Sequence, residues 1–413
     1  MFISFYRLLS IILLSANILL AQPGYFHTAG REIVDPDGKP VLLRGINLGN
    51  WLVPEGYMFK FQKTSSPRLI YQMFNELLGN TDAAVFWKKF RDSYITKEDI
   101  TFIKSCGFNS IRIPFHYQFF ISIDNPEVEV SEGLNLLKRV VKWCEEENLY
   151  VILDMHCAPG GQTGDNIDDS YGYPALFESE TAQEATIKAW VKIAREFKTN
   201  RTVIGYDLLN EPIAHYFNVE SLNPKLEPFF KKLISEIRKV DDNHIVFIGG
   251  AQWNSNFKIF GPPFDKNSVY TFHKYWTPSD KSVIQEYIDY REKFNVPIWM
   301  GESGENTNEW IAAFRKTLEE NNIGWCFWPY KKMDATSSPV SVSRPADYDT
   351  LIAYSEKDRS DYGKLREHRI DKQLSEKILN EYLENIKLKN CRVNREYIEA
   401  LLFAGKQIDM KNR

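Results

Sequence analysis

Residues 203–212 read VIGYDLLNEP, a mostly apolar run that ends in an amide, a carboxylic acid and a proline. The run has the length and composition of a strand buried on both faces. Pro212 closes it, because proline cannot donate to a central ladder. Asn210 and Glu211 therefore stand at the carboxyl end of a core strand. Asn and acidic residues are common where strands meet loops, so one such ending decides little until the others are read beside it.

Outward from this segment, seven further short runs rich in β-branched or aromatic residues lie at 41–47, 110–114, 150–156, 245–249, 269–273, 297–301 and 324–328, making eight with 204–210. Stretches of helical period separate them. Thr96-Lys97-Glu98-Asp99 opens one as a capping box, Ile100 and Ile103 share its face, and Gly107 stands as its stop. Leu134, Leu137, Val141 and Cys144 recur at helical spacing in the next, and 185–197 and 229–240 continue the series. Alternating helices and continuously apolar strands imply an α/β chain whose parallel sheet is covered on both faces. Eight such units predict a (β/α)8 TIM barrel. Ahead of it, REIVDPDGKPVLLRGIN places the turn signal Asp35-Pro36-Asp37-Gly38 between two short apolar runs, which predicts an N-terminal β-hairpin.

Single α/β barrels routinely exceed 250 residues, so the 413 residues of this chain do not demand two domains. A formal net charge of −4 supplies no basic field, which excludes nucleic acid as an expected partner. Residues 1–21 read MFISFYRLLSIILLSANILLA, with Arg7 ahead of an apolar run and Ala21 where cleavage can follow. That run is about 13 residues long against the roughly 20 needed to span a bilayer, so a signal peptide is expected, with no stable membrane insertion and a secreted or periplasmic product. The expected organisation is this leader, one barrel domain over 22–390 with a closing helix at 374–389, and a polar tail over 391–413. No motif sets an oligomeric state. Cys106, Cys144, Cys157, Cys326 and Cys391 have no paired short spacing and an odd count, so no disulfide is expected.

In a (β/α)8 barrel the carboxyl ends of the strands converge on one face, where catalytic residues collect. Here the second strand carries Arg112, the third ends in His156, and the fourth ends in Asn210 and Glu211. The sixth leads to His273 and Tyr275, the seventh to Glu302, and the eighth to Trp328. Taken singly, a strand arginine is more often a buried ion-pair partner, a histidine a satisfied core residue, and a tryptophan packing. Their joint placement at one barrel mouth points to an active site instead. Glu211 and Glu302 can face each other across that mouth, and glycoside hydrolysis needs such a pair, one protonated and one ionised. Arg112 and the Tyr275 hydroxyl are suitable donors to an ionised partner. Asp154 and His156 form a DxH pair, but no HxH or second clustered ligand set accompanies it, so no metal is expected.

Together, RGINLGNWL, IRIP, DMH, LLNEP, HKYW, GES and FWPYKK resemble glycoside hydrolase family 5, the cellulase-type retaining β-glycosidases, over roughly residues 30–335. The resemblance implies that Glu211 is the general acid/base and Glu302 the nucleophile. Asn210 would bond the 2-hydroxyl of the sugar in the −1 subsite, and Arg112 and Tyr275 would position Glu302. His156 and His273 would complete the polar floor, and Trp328 would stack under the −1 sugar. It also implies a β-linked oligo- or polysaccharide substrate and no cofactor.

The loop CAPGGQTGDNIDDSYGYP, 157–174, suits a hydrogen-bonding wall beside that subsite, though its composition is equally that of a solvated loop. Its APGGQTG, and YITKEDITFIKSCGFNSIRIP before it, are similar to segments of the β-1,3-glucan-cleaving members. Trp51, Tyr57, Tyr117, Trp253 and Trp276 are candidate sugar platforms, each of which packing explains as well. The alternatives to a cellulase- or glucanase-like enzyme are an exo-acting β-1,3-glucanase, a glycolipid-type β-glucosidase, and a non-catalytic glycan-binding relative. The presence of both glutamates disfavours the last.

Overall fold

The computed structural model describes residues 24–402. Eight parallel strands close into a barrel: β1 (Arg44–Asn47), β2 (Ser110–His116), β3 (Tyr150–Cys157), β4 (Val203–Asp207), β5 (Ile245–Gly249), β6 (Ser268–His273), β7 (Ile298–Glu302) and β8 (Gly324–Phe327). Ile46 pairs with Ile111 at one seam and Trp325 with Arg44 at the closure. The expected barrel is present.

Two apolar layers hold it. The larger lies between strands and helices; helix Glu132–Glu146, for example, buries Leu134, Leu137, Val141 and Cys144 as their spacing predicts. The smaller fills the barrel interior with Ile152, Ile204, Ile245, Phe247, Val269 and Trp299, and Phe26 and Ile33 pack into the same cluster from the N-terminal segment. Phe26 meets Tyr150 edge-on at 4.5 Å, so this segment plugs the end where β3 begins. The opposite end is left to polar side chains. Helix Lys97–Cys106 carries the predicted capping box: Thr96 N–H donates to Asp99 Oδ2 at 2.8 Å, and Gly107 stops it at φ 102°.

Several expectations are corrected. The N-terminal strand pair is His27–Ala29 with Glu32–Val34, and it turns through Gly30, not through Asp35–Gly38. The latter turn does form, with Gly38 N–H donating to Asp35 O at 2.9 Å, but a single bridge, Val34 to Pro40, follows it. Pro40 has no N–H to extend a ladder. β4 ends at Asp207, three residues short of the predicted 210. Leu208 N–H and Asn210 N–H still donate to Phe247 O and Met155 O, but Glu211 at φ 48° leaves the extended region.

Of the expected polar tail, 391–413, the described residues reach 402. Arg392–Val393 pairs with strand Val340–Val342, and helix Arg395–Leu402 buries Tyr397, Ile398 and Leu401 at helical spacing. Helices Pro67–Leu78 and Asn80–Tyr94, which had no counterpart in the sequence reading, fill the passage from β1 to helix Lys97–Cys106. All five cysteines are free. Among the described residues no helix is long and apolar enough to cross a membrane; the segment read as a signal peptide lies outside them.

Candidate active site

Arg112 lies inside the barrel on β2 with no exposed surface, so every donor of its fork needs a partner. Nε donates to Asp207 Oδ2 at 2.8 Å, Nη1 to Asn47 Oδ1 at 3.0 Å and to Glu302 Oε1 at 2.5 Å, and Nη2 to Asn210 Oδ1 at 3.0 Å. Asp154 Oδ1 lies 3.0 Å from Nη2 as a further ion-pair partner. One guanidinium thus gathers the ends of β1, β2, β3, β4 and β7. Burial pushes both Asp154 and Asp207 up to about 7, against the downward pull of Arg112. Burial alone would lower Arg112; the surrounding carboxylates more than offset it.

Above this base stand the two glutamates. Glu302, at the end of β7, accepts from Arg112 on Oε1 and from the Tyr275 hydroxyl on Oε2 at 3.1 Å. Burial and the Glu302 charge push the Tyr275 phenol up, so it remains a donor. Glu211 follows β4 on the backbone turned left-handed, a conformation that non-glycine residues adopt at a cost and that clusters at functional sites. Its Oε1 lies 2.9 Å from His273 Nδ1, and the same nitrogen is 3.8 Å from Glu302 Oε2. Burial pushes the Glu211 carboxyl up to about 7. One oxygen of each glutamate and one His273 nitrogen all lie within 4.8 Å of one another.

Both histidines are neutral at ordinary pH, since burial lowers His156 to about 4 and His273 to about 3. His156 Nδ1 faces Asp154 Oδ2 at 2.8 Å and its Nε2 faces Asn210 Nδ2 at 3.4 Å. Its ring lies 5.5 Å from the Trp328 ring and 6° from parallel. Trp328 Nε1 donates to the Tyr57 hydroxyl at 2.6 Å. A cleft of 640 Å³ opens over these groups.

All eight predicted site residues come together: Glu211, Glu302, His156, His273, Tyr275 and Trp328 line the cleft, and Arg112 and Asn210 bond from beneath it. Of the candidate platforms, Tyr57, Trp253 and Trp276 line the cleft, and Trp276 is 75% exposed. Trp51 is buried, donating to Arg91 O, and Tyr117 packs on the core beside His116. The loop 157–174 is a wall: Gln162, Thr163 and Asp168 are buried, while Asp165, Asn166 and Ile167 face the cleft. Gln162 Nε2 donates to both His156 O and Asn210 O at 2.8 Å, clamping the ends of β3 and β4 together.

Sequence reasoning missed Asn47, although the strand-end rule applied to β1 selects it. It also missed Glu55 and Glu305, which line the cleft while the Oε1 of each is buried without a hydrogen-bond partner among the described residues. Neither stands at a strand end. Burial, then the Glu302 and Glu211 charges, pushes Glu55 well up.

By distance alone Glu211, His273 and Glu302 are the one set among the described residues that could hold a cation. The donor set argues against that role, because Glu302 is already engaged by a guanidinium and His273 Nδ1 by Glu211. Two carboxyls across a cleft, one held by a cation and a phenol and the other beside a neutral imidazole, supply what acid-assisted cleavage of a glycosidic bond requires.

Known proteins agree. Residues 83–334 match the family described as Cellulase (glycosyl hydrolase family 5). A β-xylosidase of Phanerodontia chrysosporium is 29% identical over 79% of this chain and 75% of its own length. Endoglucanase C of Acetivibrio thermocellus is 28% identical over 60% of this chain and 88% of its own. The fold is similar to that of a solved endogalactoceramidase, with a TM-score of 0.60 at 17% identity over 92% of this chain and 84% of the other. The chain belongs to glycosyl hydrolase family 5 and is a β-glycoside hydrolase.

Proposed function

We propose that the protein is an exported, retaining hydrolase that cleaves a β-glucan-type oligo- or polysaccharide by double displacement. The observation that carries the mechanism is the approach of Glu211 and Glu302, whose oxygens come within 4.8 Å. Retaining enzymes hold their carboxyls about 5–5.5 Å apart, and inverting ones about 6.5–9.5 Å to admit a water. Glu302 then attacks the anomeric carbon as the glycosidic bond breaks, and Glu211 gives its proton to the departing oxygen. In the second half Glu211 takes a proton from water, which displaces Glu302 from the glycosyl ester.

The substrate class rests on the cleft lining and on the relatives. Tyr57, Trp253, Trp276 and Trp328 offer ring faces for sugars. Endoglucanase C carries a glucan-directed name. An exo-acting β-1,3-glucanase is the second reading, favoured because the loop that begins with APGGQTG presents its next residues, Asp165, Asn166 and Ile167, to the cleft.

A panel of β-1,4-, β-1,3- and mixed-linkage glucans, mannan and xylan tests both readings, with product lengths separating endo from exo action. Proton NMR of the first-formed product is expected to show the β-anomer; the α-anomer would overturn the retaining mechanism. Export rests on the N-terminal apolar run. Mass spectrometry of the mature protein should find an N-terminus near residue 22; a cytoplasmic product retaining Met1 would defeat that part of the proposal.

A further inference from the structure

A general acid is useful only if its proton sits on the oxygen that meets the leaving group. The two oxygens of Glu211 differ, because Oε1 is the one beside His273 Nδ1. A neutral imidazole holds one hydrogen, on either nitrogen. If it sits on Nε2, then Nδ1 accepts, and the Glu211 proton is drawn onto Oε1. If it sits on Nδ1, the ring donates to Oε1, and the proton is left to Oε2.

The far edge of the ring decides between these. His273 Nε2 lies 3.1 Å from Asn254 Nδ2. With the amide nitrogen turned to the ring, which donates and does not accept, Nε2 is the acceptor and the hydrogen belongs on Nδ1. We infer that Asn254 is a positioning residue that fixes the His273 tautomer and thereby directs the acid proton of Glu211 onto Oε2. This rests on Glu211 being the general acid.

The placement of Asn254 is built into the fold. Gln252, Trp253 and Asn254 form three consecutive left-handed residues, at φ 49°, 56° and 57°, where non-glycine residues are rare. The Gln252 side chain holds the turn, donating to Asn223 Oδ1 and accepting from Asn256 Nδ2, both at 2.8 Å. Gln252 N–H donates to Ile213 O at 3.0 Å, which ties the turn to the loop that carries Glu211. Gly249 gives Asn254 its space: a Cβ there would meet Asn254 Oδ1 at 2.2 Å. That Oδ1 is buried with no partner among the described residues, while the nitrogen faces the ring.

The ring nitrogens of His273 in the wild-type enzyme, assigned by 15N NMR, test this directly. The expected result is hydrogen on Nδ1, and hydrogen on Nε2 overturns the inference. Asn254→Asp presents acceptors to Nε2 and reverses the preference. It should lower kcat/KM for an oligosaccharide by about thirtyfold or more, and for a dinitrophenyl β-glycoside, whose leaving group needs no proton, by less than about threefold. Gly249→Ala displaces Asn254 without adding charge and should give the same split. Equal losses on the two substrates overturn the inference. If Glu211→Ala discriminates between the substrates and neither of these variants does, Asn254 has no such role and Glu211 remains the acid. If Glu211→Ala does not discriminate either, the parent assignment fails.

Discussion

Arg112 Nη1 donates to Glu302 Oε1 across 2.5 Å, which ties the barrel's buried charge network to the carboxylate assigned as nucleophile. The same guanidinium serves Asp154 and Asp207, also without exposed surface. Removing one partner of a buried ion pair typically costs about 3–5 kcal/mol, so Arg112→Met should lower unfolding stability by that order in urea titrations. Arg112→Lys keeps the charge and loses the fork. It should lower kcat about a hundredfold through misplacement of Glu302, and wild-type turnover in the lysine variant would contradict the positioning role.

The pH dependence follows from Glu211. Burial pushes its carboxyl up to about 7, and the acid form is the one that assists departure. Activity is therefore retained below that value and lost as pH rises through it. kcat/KM on a substrate with a poor leaving group should fall about tenfold per pH unit above the limb. The limb belongs to the coupled cluster that Glu211 forms with Arg112, His156 and Asp165, so it is expected near neutrality as a property of that cluster. A profile flat from pH 6 to pH 9 would remove Glu211 from the acid role.

Leaving-group dependence isolates the same proton. Glu211→Ala should reduce kcat/KM on a natural oligosaccharide by about a hundredfold to ten-thousandfold, and far less on a dinitrophenyl glycoside. The measurement is the ratio of variant to wild type on each. Equal reductions would mean that Glu211 does not supply the leaving-group proton.

The strands were legible because a sheet covered on both faces needs continuous apolar runs, and 245–249 forms β5 over the predicted residues. The strand-end rule then picked out residues that converge on one barrel mouth, since polar residues that close such runs collect there. β4 was read too long because LLN continues the apolar pattern, while the left-handed turn at Glu211 depends on tertiary support that no local signal announces. Asn254 was missed for the same reason: nothing in AQWNSN marks three non-glycine residues as left-handed. The helix Arg395–Leu402 was not read from the sequence because Tyr397, Ile398 and Leu401 are scattered among charges, and only packing shows that they share a face.

The assignment of Glu302 as nucleophile and Glu211 as acid/base is tested most directly by chemical rescue of Glu302→Gly. This variant should lose nearly all hydrolysis, and azide should restore turnover of an activated β-glycoside by attacking from the space the carboxylate occupied. With no second displacement to follow, the expected product is the α-glycosyl azide. Recovery of the β-glycosyl azide would show instead that Glu302 is the acid/base and would reverse the two roles.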